Sequence, residues 1–341
     1  MTKRKSTIQV KKIAEKLNLS PSTVSMVLNN KARQYRISKQ TCERIFQAAK
    51  ELGYEPPVRA KPPKAGLNQR LVIIFCPTNF EKGPIFYAGI LKYFREKKLD
   101  YETILFPFEI GRLKEKAAYI SKDFAAGAIM FALGEEDITF IENMKFDIPI
   151  VLYNRTAKRY SSVLTDDYAV GTGTMEHFIK RGHTRFGIVS PNYSSRALSM
   201  RVTGYRDKFK SHFPPGAAYL APVSYGDDSD GGGYAAMREL LDGEQKPTAV
   251  FVASDNMVGG VLRCIHEAGL AVPGDIELIS FGDKPIHQIL RPTITSFSPP
   301  TDTMSYNCAM LLHRFIEEGI LTDNVKLSFE AACVFRESCP E

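Results

Sequence analysis

Near the N-terminus, apolar positions recur at helical spacing. Ile13, Ala14 and Leu17 form one stripe, Val24, Val27 and Leu28 a second, and Ile45, Ala48, Ala49 and Leu52 a third. Three short amphipathic helices are therefore predicted. Between the first two lies Asn18-Leu19-Ser20-Pro21. Ser20 suits an N-cap, where its oxygen accepts from an orphan backbone N–H, and Pro21 suits the first helical position. A tight turn follows from that pair. Ser38 opens the third helix and Gly53 closes it.

From Arg70 the period changes. Apolar and β-branched runs at 71–76, 101–106, 127–131 and 149–153 alternate with amphipathic stretches at 86–97, 113–122 and 138–144. The rhythm restarts with helices at 169–181, 200–211, 234–241 and 257–268 and strands at 186–189, 219–223, 249–252 and 276–280. Two such halves predict an α/β body of two lobes with parallel sheets. A late helix at 304–317 and a strand at 333–335 belong to neither half, so the chain is expected to cross between lobes more than once. The predicted organisation is a three-helix head at 1–56, a proline-rich basic linker at 57–69 and a body at 70–341. Within the body, one lobe takes about 70–164 and 299–320, and the other about 165–298 and 321–341.

Charge sharpens this division. The net charge of +7 hides an asymmetry, because residues 1–70 hold sixteen Lys and Arg against four acids and the remainder is net acidic. A basic head on an acidic body points to a polyanion-binding module attached to something with another task. Two helices joined by a tight turn are also the arrangement that places a recognition helix in the DNA major groove. On that reading Ser20, Pro21, Ser22, Thr23, Ser25, Met26 and Asn29 belong to the base-reading face. Lys11, Arg33, Arg36 and Lys39 then reach phosphates.

Other chemistries find little support. Six cysteines are scattered without a CxxC pair or a neighbouring His cluster, so reduced thiols are expected, with neither a metal site nor a cofactor. Asp166-Asp167 and Asp227-Asp228 are paired acids, but sequence neighbours point apart on a strand and no motif supplies a partner base. No catalytic residue is assigned and no enzyme is expected. Gly231-Gly232-Gly233 lacks the order of a nucleotide fingerprint. Met1-Thr2-Lys3-Arg4-Lys5 is followed by no apolar signal region, and no apolar run approaches the roughly 20 residues that span a bilayer. A cytoplasmic location is expected.

The head resembles the LacI/GalR family of transcriptional regulators. The residues that carry the resemblance are Ile13-Ala14, Ser20-Pro21-Ser22-Thr23-Val24-Ser25, Val27-Leu28-Asn29, Ile37-Ser38, Thr41, Arg44-Ile45, Ala48-Ala49 and Leu52-Gly53-Tyr54-Glu55-Pro56. It continues through Pro84-Ile85-Phe86, Arg181-Gly182-His183, Arg201 with Gly204-Tyr205, Ser254-Asp255-Asn256-Met257 and Val272-Pro273-Gly274-Asp275-Ile276. It implies a periplasmic-binding-protein-like effector domain, a homodimer and a pseudo-palindromic double-stranded DNA operator. It also implies a small-molecule effector, sugar-like or an acidic metabolite, and action as a repressor. The implied effector residues are Phe80, Phe86, Asn154, Arg201, Ser254, Asp255 and Asp283. Arg offers a fork for a carboxylate, phosphate or paired hydroxyls, and Asp accepts hydroxyl bonds.

The chain departs from the family at several positions. Met26 stands where the family usually has Arg, so it touches a thymine methyl in place of a bidentate bond to guanine. Pro62 and Pro63 interrupt the hinge helix of the family, each costing about 3 kcal/mol in a helix interior. An extended strap laying Arg59 and Lys61 along phosphates is expected there. Gly282, Ser254 and Asn154 replace polar groups common in the family, so an ordinary hexose bound in the ordinary way is not expected. The competing reading is a cytosolic solute-binding sensor whose head tethers it to DNA without sequence preference.

Overall fold

A computed structural model describes residues 11–28, 37–52, 70–78, 83–214 and 221–341. The chain divides into an N-terminal unit, Met1–Lys61, and a larger unit, Pro62–Glu341. In the first, α1 (11–17), α2 (Pro21–Leu28) and α3 (Lys39–Glu51) close around Ile13, Ala14, Val24, Val27, Ile45, Ala48 and Ala49. The three stripes meet in one small core. Leu52, expected in the third stripe, is instead exposed. Asn18 turns the chain with φ of 52°, a left-handed conformation that Asn tolerates better than most residues, and the Leu19 N–H donates to the Ala14 carbonyl at 2.9 Å. Gly53 and the linker with Arg59, Lys61, Pro62 and Pro63 lie outside the described residues.

The larger unit holds two six-stranded sheets of the same plan. The first contains β1 (Leu71–Pro77), β2 (Glu102–Phe108), β3 (Gly127–Phe131), β4 (Ile150–Tyr153), β5 (Ser161–Thr165) and β11 (Lys326–Phe329). The second contains β6 (Phe186–Pro191), β7 (Val223–Gly226), β8 (Ala249–Val252), β9 (Glu277–Phe281), β10 (Thr295–Ser298) and β12 (Ala332–Val334). Their orders are β2-β1-β3-β4-β5-β11 and β7-β6-β8-β9-β10-β12. Every pair is parallel except β10 with β12. Parallel strands bury both faces, and apolar clusters accordingly lie on both sides of each sheet. The helices that cover them are α4 (Gly83–Glu96), α5 (Glu135–Asn143) and α10 (Thr301–Glu318) on the first sheet. On the second they are α6 (Asp167–Lys180), α7 (Arg196–His212), α8 (Asp230–Asp242) and α9 (Val258–Glu267).

The chain passes between sheets three times, after β5, after β10 and after β11. This corrects two expectations. The sequence pattern places 321–341 in the second lobe, yet β11 pairs with β5 in the first sheet. The stretch at 113–122 is a 3-10 helix over Leu113–Tyr119, not an α-helix.

One buried acid fastens the C-terminal segment to the second sheet. Glu277 on β9 accepts from Arg181 Nε at 2.6 Å and Nη2 at 2.5 Å, from the Cys339 thiol at 3.2 Å, and lies 2.9 Å from His183 Nε2. Burial would raise its carboxyl, but the hydrogen bonds from Arg181, His183 and Cys339 outweigh that and hold it at about 2, against an ordinary 4.5. A depressed folded-state value stabilises the fold above pH 4.5, and the contribution disappears as pH falls toward 2. Glu277→Gln is expected to cost about 2–3 kcal/mol at neutral pH, read from the denaturation midpoint. It should also flatten the acid limb of the stability profile.

Candidate DNA-reading helix and effector cleft

The start of α2 is built by hydroxyls. Ser20 Oγ accepts from the Thr23 N–H at 3.0 Å and lies 2.7 Å from Ser22 Oγ and 2.8 Å from Thr23 Oγ1. One oxygen thus caps the helix and organises its first turn. Val24 and Val27 face the core, which leaves Pro21 and Ser22 exposed and Thr23, Ser25 and Met26 half-buried. Lys11 is exposed at the start of α1. Asn29, Arg33, Arg36 and the side chain of Lys39 lie outside the described residues.

In the larger unit, a cavity of about 220 Å³ opens at the carboxyl ends of strands from both sheets, the usual ligand position in such folds. Leu133 and Glu135 follow β3, Asn154 and Arg155 follow β4, Asp167 opens α6, and Ser195 and Arg196 precede or open α7. Asn154 sits at φ 52°, and its Oδ1 accepts from the Thr165 N–H at 2.8 Å, which locks β4 to the end of β5. Arg155 Nε donates to the Leu133 carbonyl at 2.7 Å and Nη1 to the Asn154 carbonyl at 2.8 Å.

Behind the cavity wall stands a buried ion pair. Arg201 Nε donates to Asp167 Oδ1 at 2.7 Å and Nη1 to the Ala253 carbonyl at 2.8 Å, with the guanidinium 3.3 Å from the Phe281 ring centre. Burial pushes the Asp167 carboxyl above the usual range, and Arg201 offsets part of that. The pair exists because α6 and α7 approach closely at two glycines. A Cβ on Gly171 would come within 2.0 Å of the Arg201 carbonyl oxygen, and one on Gly204 within 2.3 Å of that of Tyr168.

The sequence-predicted effector residues are dispersed. Asn154 lines the cavity, and Arg201 reaches it only through Asp167. Phe86 corrects an expectation: it is wholly buried against Phe131 and Tyr153 in the first lobe's core and cannot wall a ligand. Asp283 forms a two-pronged ion pair with Arg336 at 2.8 and 2.9 Å, and Ser254 Oγ donates to Asp228 at 2.6 Å. Asp255 opens a 3-10 turn and packs on Gly282, where a Cβ would meet its Oδ2 at 2.2 Å. None of these three lines the cavity, and Phe80 lies outside the described residues. Sequence reasoning missed Arg155 and Arg196. Their signal was position, each in the segment just after a strand's carboxyl end.

Comparison with known proteins places this architecture. Residues 9–57 match the model of bacterial regulatory proteins of the lacI family, and 175–339 match a periplasmic binding protein-like domain. The chain belongs to the LacI family of transcriptional regulators. Over 98% of its length it is 28% identical to the transcriptional regulator CelR of Thermobifida fusca, covering 99% of that protein. Over 89% it is 28% identical to the transcriptional regulator GalR of Escherichia coli strain K12, covering 87%. A solved CelR–cellobiose complex is 27% identical, with a TM-score of 0.69, 96% of this chain and 99% of that one covered. Such LacI-family relatives are regulators and not enzymes, and this chain is likewise a DNA-binding regulator. Among the described residues, no helix is long and apolar enough to cross a membrane.

The glycine contacts give a direct check on the buried pair. Gly171→Ala is expected to cost about 1–3 kcal/mol through overpacking, read by chemical denaturation of the full chain. A neutral outcome would show that α6 and α7 separate freely.

Proposed function

We propose that this LacI-family chain is a dimeric, cytoplasmic repressor that reads an inverted-repeat operator through α2 and answers to a small effector in its cleft. The observation that carries the reading is a capped helix-turn-helix head joined in one chain to a cavity lined from both sheets. Ser22, Ser25 and Met26 read bases, with Pro21 and Thr23 at the groove edge. Lys11, Arg33, Arg36 and Lys39 hold phosphates, and Asn29 closes the base-reading face. Arg59 and Lys61 follow the backbone from an extended linker, because Pro62 and Pro63 oppose a hinge helix. A sheet edge supports the dimer: among the described residues β2 is the outermost strand at one side of the first sheet, and Ile104, Leu105 and, on α4, Ile85 are exposed.

Selection of bound DNA from a random pool by the full-length protein, near physiological salt, tests this reading. An enriched inverted repeat is expected, with affinity falling steeply as salt rises. Met26→Arg should shift one half-site position toward guanine by about 1–3 kcal/mol. Bulk salt-sensitive binding without enrichment would replace the regulator by the tethered sensor.

A further inference from the structure

Two arginines and two acids line the cleft, but one of the acids is already engaged by a third arginine behind the wall. Arg155 and Arg196 both line it. The hydrogen bonds of Arg155 go to two carbonyl oxygens, and among the described residues neither arginine forms an ion pair. Asp167 faces the same space, but Arg201 takes it at 2.7 Å. Glu135, exposed in the first turn of α5, remains as the one lining acid outside such a pair. Arg155 is half-buried, and burial pulls its pKa down although Asp167 and Glu135 act in the opposite direction. A cation so placed is costly until an anion answers it. The cavity, about 220 Å³, is also small beside the roughly 300–1,000 Å³ of drug-sized sites, which favours a single ring or an open-chain acid.

We infer that the effector of this cleft is a small hydroxylated anion, a sugar-derived acid or sugar phosphate whose charged group lies between Arg155 and Arg196. Asn154, Ser194 and Ser195 line the same cavity and offer hydroxyl partners. Arg155 follows a strand of the first sheet and Arg196 opens a helix of the second, so one anion bridges both lobes. This deepens the regulatory reading and rests on its effector cleft.

Matched ligand sets test it on the full chain. Glucose, glucuronate and glucose 6-phosphate, and the galactose equivalents, each keep the ring and vary only C6. Binding is measured by calorimetry, and release from the selected operator by fluorescence anisotropy. At least one acid is expected to bind at least about tenfold more tightly than its neutral parent. Whether the uronate or the phosphate prevails identifies the anionic group. Arg196→Gln, at an exposed position, should weaken the acid about tenfold or more while its melting temperature stays near that of the parent protein. A neutral parent that binds as well as its acids overturns the inference, as does an acid preference untouched by Arg196→Gln, or binding by no acid in the set. Operator binding in the same preparation separates the failures. A chain that binds operator and answers a neutral sugar fails only the anion, whereas one that selects no operator fails the regulator.

Discussion

The buried pair between Asp167 and Arg201 is the interaction on which the cleft depends. Asp167 lies two residues beyond β5, on the first passage between sheets, and Arg201 sits on α7 and also holds the Ala253 carbonyl just past β8. One guanidinium therefore joins a crossing strand, a helix and a sheet end. Ion pairs of this kind add little net stability against an apolar alternative, but loss of one partner strands a charge and costs several kcal/mol. Their value here is positional. The pair fixes the wall of the cavity, and the glycine contacts of α6 with α7 fix the pair.

That arrangement sits on a duplicated plan. Each sheet repeats the order in which the second strand lies outside the first and the third begins the return, so each has a switch point where loops diverge at the carboxyl ends. Three passages between sheets bring those ends together. The cavity belongs to neither lobe alone.

How much of this could be read in the sequence differs by residue chemistry. The head and most parallel strands were legible because burial on both faces leaves continuous apolar runs, such as Leu71–Pro77 and Ala249–Val252. β5, β10 and β11 were missed, and these are the strands at the passages between lobes. The first two are rich in Ser and Thr, and Ser161, Ser162, Thr295 and Ser296 are buried with polar partners that a hydropathy pattern cannot see. Ser161 Oγ accepts from the Val325 N–H, and Thr295 Oγ1 donates to the Cys339 carbonyl. With β11 unseen, its segment went to the wrong lobe. The candidate site was less legible than the fold. Residue type pointed to Arg201, Asp255 and Asp283, but tertiary pairing assigns each a local partner or packing role, while Arg155 and Arg196 stood out only once both sheets were in place.

The placement of those two arginines bears on how a ligand signal is made. A ligand shifts an equilibrium only by its difference in affinity for the two states. A ligand held by one lobe would bind open and closed forms alike and change nothing. Arg155 hangs on the end of β4 by its bonds to Leu133 and Asn154, whereas Arg196 moves with α7. A group that engages both binds well only when the lobes hold a particular separation. Its affinity is thereby spent on lobe geometry, which is the quantity a regulator of this architecture must control.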